Sequence, residues 1–425
     1  LIGQDVLTKR QTWIAVLVLL VLYTLNSADR FVIAVVIEPI KHEFQLSDTQ
    51  LGAVGGLAHA IAYSAFVIPI GYLLDRFNRV KLLAGMLAIW SVITACGAFA
   101  TGFWSLFLMR MGVGAAESAS SPGSQSLIAS YFPIKQRSSA MGVVFSGAAM
   151  GTGLIFAIGG PIAAHWGWRA VFLVAGIPGI LLAIYMWFNL PEPPRRVIAK
   201  DVSPPPSMWQ VSNYFFRTSP VLLIALGTTI ASMNLTSVWV WISPILIRQQ
   251  GFSLVQAGLI VGVAAGVIKF ASTLLSGFLG DWIARGQVRK LWVVPTTALA
   301  LSFPFALIIA TTSSQIIAGF MVLLLGMTLG THHAAPKSVI MTLVPEEMRG
   351  RVAAIEQLMV NLLGAAAGPL ITGMISDRLG GPNSVGIALA ATVSLNLVAA
   401  FFYWKAMHRL ENAPVPPVAG DAAAI

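Results

Sequence analysis

Charge is scarce in this chain. Of its 425 residues, 10% are Asp, Glu, Lys or Arg, where an average soluble domain carries roughly 25%. That deficit argues against a water-soluble enzyme and for lipid as the solvent. Cysteine is nearly missing: Cys96 stands alone, so no intrachain disulfide forms and the redox compartment is left open. The apolar signal is continuous and lacks the alternation of a transmembrane β-barrel. No phosphate-binding loop is present either. The glycines of "GVGAAES" sit inside an apolar run without a following Lys-Ser/Thr, so no nucleotide or other cofactor is expected, and ATP-driven transport would need a separate subunit.

What is present is apolar length. Runs such as "WIAVLVLLVLYTL" and "VGIALAATVSLNLVAAFFYW" recur throughout, and a helix needs roughly 20 residues to cross a hydrocarbon core. The first run, from Trp13, is too long to be a cleaved signal peptide. The pattern predicts an all-α membrane protein with twelve spans: 13–37, 50–73, 81–101, 104–131, 138–164, 169–190, 218–246, 254–280, 289–311, 314–343, 350–375 and 385–407. With the N-terminus inside, the inner segments hold 18 of the 26 Lys and Arg residues. The outer ones hold only Lys41, Arg169, Arg248 and Arg378, the bias expected when both ends lie on the cytoplasmic side. The net charge of +10 therefore reads as topology, and no nucleic-acid partner is expected.

The spans divide into two halves. Residues 1–191 form one six-helix half and 218–411 the other. Between them, 192–217 is a Pro-rich, basic linker in which "SMWQVSNYFFR" is expected either as a short interfacial helix or as plain loop. Residues 412–425 read as a disordered tail. The halves repeat each other. "GYLLDRFNRVK", with Gly71, Asp75, Arg76 and Arg79, is matched by "GFLGDWIARGQVRK", with Asp281. "FPIKQR", ending in Arg137, is matched by "VPEEMR", ending in Arg349, and "GGP", ending in Pro161, by "AGP", ending in Pro369. Such repeats mark secondary transporters, whose site lies between the halves near the midplane. The loop motif reads as a cytoplasmic gate whose contacts with the other half form in one access state and break in the other, with Gly71 allowing close approach, and Pro161 and Pro369 as bends at the seam between halves.

Charges at membrane depth are costly and functional by default. Arg30, Arg110, Lys269 and Lys337 fall within spans, as do Asp29, Glu117 and Glu356. Asp29 and Arg30 are about 100° apart on a helix, so Arg30 is expected to face the cavity and Asp29 to face span four or two. Arg110 and Glu117, two turns apart, share a face. Asp29 and Glu117 are candidate proton carriers, and static bracing of the bundle is the competing role. Arg30 and Lys269 are candidate holders of an anionic headgroup, with Asn234 and His332 as further pathway residues, and Arg110 and Glu356 as parts of a charge network. Trp239 and Trp241 either line the pathway or belong to an interface belt. The adjacent His332 and His333 are too sparse for a metal site, so no metal is expected and an embedded enzyme is disfavoured.

The twelve-span repeat and "GYLLDRFNRVK" resemble the major facilitator superfamily over essentially the whole chain. Within it, "LNSADRF", "GYLLDRFNR", "RMGVGAAES" and "LPEPPRR" resemble the Spinster group of lysolipid and sphingolipid-phosphate transporters. The resemblance implies proton-driven alternating access, with Asp29 as the protonation site beside Arg30 and Glu117. The chain departs from the pattern at Leu74 and Val80 in the loop motif, and at the glycines of "GVGAAESAS". The resulting expectation is a monomeric, proton-coupled carrier of an amphipathic anionic lipid, with membrane lipids around it. The alternatives are a symporter of a small organic anion such as a sugar acid, and a ligand sensor without transport, against which the short tail "NAPVPPVAGDAAAI" speaks. Short loops point to a bacterial inner membrane, and the start at Leu1 reads as trimmed.

Overall fold

A computed structural model describes residues 9–193, 206–284, 292–331 and 334–410. The spans, in order, are α1 (Lys9–Val35), α2 (Asp48–Arg76), α3 (Arg79–Phe99), α4 (Phe103–Glu117, then Ser120–Tyr131), α5 (Ile134–Trp166) and α6 (Trp168–Asn189). The second half follows with α7 (Ser219–Gln250), α8 (Leu254–Gly262, Val263–Ile268 and Lys269–Ala284), α9 (Val293–Thr311), α10 (Gln315–Gly330, then Ala334–Leu343), α11 (Arg349–Leu379) and α12 (Ser384–Leu410). Ten are long and apolar enough to cross a membrane unbroken; α4 and α10, each interrupted near its middle, complete the twelve. Their ends fall within about one helical turn of the sequence expectation, because hydropathy alone marks where lipid begins. The expected tail, 412–425, lies outside the described residues.

The internal repeat is structural. Arg137 Nε donates to the Phe132 carbonyl at 3.0 Å, and Arg349 Nε donates to the Val344 carbonyl at 3.2 Å. Both contacts close the same inner turn, one in each half. Close helix crossings repeat as well. A Cβ at Gly114 would lie 2.4 Å from the His59 carbonyl oxygen, and one at Gly326 would lie 2.8 Å from that of Ala264. So α4 rides on α2 as α10 rides on α8, with backbones too close for any side chain.

Buried apolar residues reveal a closed and an open end. On the outer side they form one cluster shared by both halves, from Val32, Ile33 and Leu51 to Trp239, Trp241 and Val261. On the Lys/Arg-rich side they split into two clusters, one per half, around Leu83 and Leu127 in the first and Val221 and Tyr403 in the second. The seam between α5 and α8 shows the same gradient. Gly142, Gly153 and Gly160 fall on one face of α5 by helical spacing. A Cβ at Gly160 would lie 2.7 Å from the Leu254 carbonyl oxygen and one at Gly153 2.5 Å from Gly266 Cα, whereas one at Gly142 would meet nothing within 4 Å. The halves are zipped outside and parted inside.

Polar contacts seal the outer end. Arg248, at the end of α7, donates from Nε to Glu38 at 2.8 Å and from Nη1 to both Asp48 oxygens at 3.0 Å. Lys41 also pairs with Asp48. Asp377 of α11 accepts the backbone N–H groups of Asp48 and Thr49, at 2.9 and 2.8 Å, and so caps the start of α2 with charge of the favourable sign. Nearby, Glu43 accepts from Arg169 at 2.6 and 2.9 Å and from Trp168 at 2.7 Å, which holds its carboxyl below the usual glutamate range. That tie persists until the pH falls through the lowered value.

The half-to-half contact expected of Arg79 is not made in this state, in which the inner side is parted. Arg79 does not reach the other half: it donates to Glu192 at 2.8 Å, Ser130 at 2.8 Å and the Pro193 carbonyl at 2.8 Å, pinning α3 to the ends of α4 and α6. Gly71 has open space where close approach was expected. Asp75 and Arg76 are exposed, and Arg76 lies 4.1 Å over the Tyr72 ring. The side chain of Asp281 lies outside the described residues. Pro369 does sit on the seam, its carbonyl accepting from Trp241 Nε1 at 2.9 Å and its ring packed against Gly56. Pro161 follows Gly160 where α5 meets α8. In the linker, the short helix Met208–Arg217 forms, burying Val211 and Phe215 and exposing Trp209 and Phe216.

Two outcomes follow from this one-sided closure. Gly153→Leu overpacks the seam at a cost of about 1–3 kcal/mol and lowers the melting temperature in detergent, while Gly142→Leu, on the same helix face, leaves it unchanged. Arg248→Ala removes the cation shared by Glu38 and Asp48, leaving Lys41 as the cation beside Asp48, and loosens the outer end. In a Cys96→Ser background, Thr236→Cys then becomes several-fold more reactive toward an impermeant maleimide added from outside.

Candidate functional site

Where the zipped part ends, a cavity of about 150 Å³ lies between the halves. Its walls come from α1 (Ser27, Arg30, Phe31), α2 (His59, Tyr63), α4 (Arg110), α5 (Thr152), α7 (Leu235, Thr236), α8 (Lys269) and α11 (Asn361). Three π-helical stretches border it. Ala53–Leu57 in α2 and Val360–Ala365 in α11 contribute lining residues, and Val263–Ile268 in α8 delivers Lys269 directly after it. Wide turns of this kind leave backbone and side chains at angles a regular helix does not offer, and they cluster at functional sites.

The lining is cationic. Arg30, Arg110 and Lys269 reach it, and no carboxylate is among the lining residues. Arg30 makes no ion pair among the described residues; its guanidinium lies 5.7 Å from the Tyr63 ring centroid, and its buried Nε has no partner. Lys269 lies 5.9 Å over the Trp239 ring, again with no acid beside it. Two unpaired cations in a low-dielectric pocket create a strong positive potential, which an anion would neutralise.

The carboxylates stand one layer behind. Asp29 is 2% exposed and faces α3 and α4: it accepts from Thr94, and Arg110 Nη1 reaches it at 3.4 Å. The same guanidinium donates to the backbone carbonyls of Asp29 at 3.2 Å and Arg30 at 3.0 Å. Arg110 thus clamps α4 to the middle of α1 through side chain and backbone together. Neighbouring Asp29 and Arg30 point in different directions, as their 100° separation requires. Glu117 is wholly buried, and its Oε2 is 2.8 Å from His59 Nε2 on α2.

The sequence-derived candidates are therefore distributed unevenly. Asp29, Arg30, Arg110, Glu117 and Lys269 come together at the cavity. Asn234 does not reach it: its amide donates to Asn396 at 2.6 Å, inside the α7–α12 packing. Glu356 is buried on α11 and is not among the cavity's lining residues. His332 and the side chain of Lys337 lie outside the described residues. Trp241 is committed to the seam, while Trp239 backs the cavity under Lys269. Sequence reasoning missed His59, Thr94 and Tyr63. His59 carried a usable signal, since "GGLAHAIAY" places an ionisable residue within a span. Thr94 and Tyr63 carried none, because such residues are common in packed helices. The outer closure by Glu38, Asp48, Arg248 and Asp377 was also missed: of the four, only Arg248 entered the reading, as an outer-side charge.

Comparison with known proteins agrees with this architecture. The Major Facilitator Superfamily profile matches residues 19–369. The chain is 31% identical over 412 residues to an MFS-type efflux pump of Mycolicibacterium smegmatis, covering 94% of each chain. It is 28% identical to human protein spinster homolog 1, over 88% of this chain and 74% of that one. To the hexuronate transporter of Bacillus subtilis it is 26% identical, over 84% and 86%. Among solved structures, a bacterial homolog of the human lysosomal transporter Spinster, in an inward-facing and unoccupied conformation, superposes with a TM-score of 0.86 at 25% identity, covering 97% of this chain and 100% of that one. That family comprises transporters rather than an enzyme class. With its twelve spans, its two repeated halves and a cationic cavity between them, the chain is an integral multi-pass membrane protein that belongs to the major facilitator superfamily and resembles its Spinster members.

Proposed function

We propose that the chain is a proton-coupled carrier of an amphipathic anionic lipid, a lysophospholipid or a sphingosine-1-phosphate-like molecule, working by alternating access in a bacterial cell membrane. The observation that carries this reading is the cavity lined by Arg30 and Lys269 without a lining carboxylate, set at the head of an interior whose halves are parted. An anionic headgroup meets the two unpaired cations. Its acyl chain lies along the inner seam, where Gly142 of α5 and Gly277 of α8 face open space. The helix Met208–Arg217 lies in the inner interface with Trp209 and Phe216 toward lipid, and the carrier works as a monomer.

Coupling follows from the layer behind the cavity. Ionised Asp29 attracts Arg110 and ties α1 to α4. Protonation of Asp29 removes that attraction, leaving Arg110 on the two backbone carbonyls and altering how α1 presents Arg30 to the cavity. Because the pair is buried, a single proton changes the local charge by a full unit without screening by water. Substrate and proton then reach the same helix from its two faces.

A second reading, symport of a small organic anion such as a sugar acid, draws on two observations. The enclosed part of the cavity is only about 150 Å³, and a hexuronate transporter is among the relatives. Both readings use the same cations. They part on whether an apolar tail adds affinity.

The deciding experiment is flux in proteoliposomes with an imposed pH gradient, comparing radiolabelled lysophosphatidic acid with glucuronate. Gradient-stimulated movement of the lipid alone supports the first reading; movement of glucuronate alone selects the second. Asp29→Asn abolishes the gradient's effect, and Arg30→Ala weakens binding of the transported anion by at least about tenfold, the loss of one charge-assisted contact.

A further inference from the structure

The route by which a proton reaches Glu117 is not provided by Glu117 itself. Its side chain is 0% exposed and it is not among the cavity's lining residues. Oε1 has no hydrogen-bond partner, and Oε2 meets His59 Nε2 at 2.8 Å. His59, in contrast, lines the cavity. Its other ring nitrogen makes no hydrogen bond among the described residues. The imidazole therefore stands between the cavity and a carboxylate whose other polar neighbour, the Asn26 amide, cannot relay a proton.

The ring is held in place from several sides. Gly114 lets α4 approach the His59 carbonyl so closely that any larger residue there would push the two helices apart. Tyr63, one turn along α2, stacks on the imidazole with centroids 5.8 Å apart and rings inclined by 26°. Tyr63 in turn lies under Arg30, at 5.7 Å. A chain of contacts thus runs from the candidate anion ligand through Tyr63 and His59 to Glu117. The charged and titratable groups around His59 are Glu117 and Arg110 from α4, Arg30, Asp29 and Tyr23 from α1, Tyr63 on its own helix and Lys269 from α8 across the cavity; α11 contributes the neutral Asn361.

The geometry points to His59 as the proton-relay residue between the cavity and Glu117, with Tyr63 aligning the ring and reporting the position of Arg30. A proton from the cavity binds Nδ1 while the Nε2 proton passes to Glu117 Oε2. One N–H bond forms, one breaks and one O–H bond forms. The carboxylate becomes a neutral acid, and the imidazole stays neutral in its other tautomer. Release runs the same steps backward when the cavity changes sides. An anion that draws Arg30 away from Tyr63 frees the ring to reorient, so substrate binding and relay are linked through one aromatic side chain. The inference rests on the proton-coupled reading above and adds to it a named path.

The test uses the full chain in liposomes loaded with a pH-sensitive dye, with lysophosphatidic acid and, separately, glucuronate as probes. His59→Gln keeps the size and a donor toward Glu117 but cannot carry a proton. The expected result is a fall of at least about tenfold in proton flux per bound substrate, in the range typical of a lost acid–base group. Glu117→Gln behaves the same way. Flux retained in His59→Gln but lost in Glu117→Gln overturns the relay and leaves the proton-coupled reading intact. Absence of flux in the native protein with either probe overturns both. Should His59→Gln fail to give a monodisperse, cooperatively melting protein, His59→Asn takes its place. A purely structural His59 would instead show weakened probe binding and a lowered melting temperature, with the flux per bound substrate unchanged.

Discussion

Arg110 is the contact on which the site depends. A guanidinium at membrane depth costs about 2.5–3.5 kcal/mol on insertion scales unless it finds partners. This one has a carboxylate and two backbone carbonyls, all from two consecutive residues of α1. It holds the turn that carries Asp29 and Arg30, and so determines which way each of those points. Removing one member of such a pair strands the other, at about 3–5 kcal/mol. Lysine could not replace it, since a point charge on a flexible stem cannot serve three acceptors in a plane. What the first half presents to an anion at α1 is oriented from behind by this clamp.

The repeat that builds the fold is broken where the chemistry is. Both halves use the same inner turn, with Arg137 and Arg349, and the same close crossings at Gly114 and Gly326. Yet Asp29, Arg30, His59, Arg110 and Glu117 all belong to the first half. The second half fills much of the corresponding space with neutral networks, such as Asn234–Asn396–Ser302 and Ser237–Thr372–Thr392. Hydrogen-bonded neutral side chains of this kind rigidify the packing without adding charge. Lys269 is the second half's contribution to the cavity, so an anion bound between Arg30 and Lys269 would touch both halves.

Closure on the outer side combines two kinds of force. Apolar packing across the halves is continuous there, and it is supplemented by Arg248, Glu38, Asp48 and Asp377 at the rim. The apolar part stabilises any close approach of smooth surfaces. The ionic part selects one register, because Asp377 must meet the first N–H groups of α2 and Arg248 must meet two carboxylates together. On the inner side no comparable contact joins the halves among the described residues. Arg79, which the loop motif offers for that purpose, is held within its own half.

Span number, sidedness and the internal repeat were legible from the sequence because they depend on one-dimensional quantities: apolar length, the placement of Lys and Arg, and spacing along the chain. The membrane-depth charges were legible for the same reason, since an ion in an apolar run stands out wherever it lies. Partners were not legible. Asp29 meets Thr94, 65 positions away, and Glu117 meets His59, 58 positions away, and nothing local in either segment announces the other. Arg79 and Asn234 looked available because a sequence does not show which face of a helix a neighbour covers. The π-turns that shape the cavity, the glycine contacts that close one end of α5–α8 and leave the other apart, and the rim pairs at Arg248 arise only when twelve helices pack. The amino-acid sequence determined what the lipid would accept and where charge had to be placed; the tertiary structure decided which charges face one another, because that depends on helix rotation and crossing, which no single segment controls.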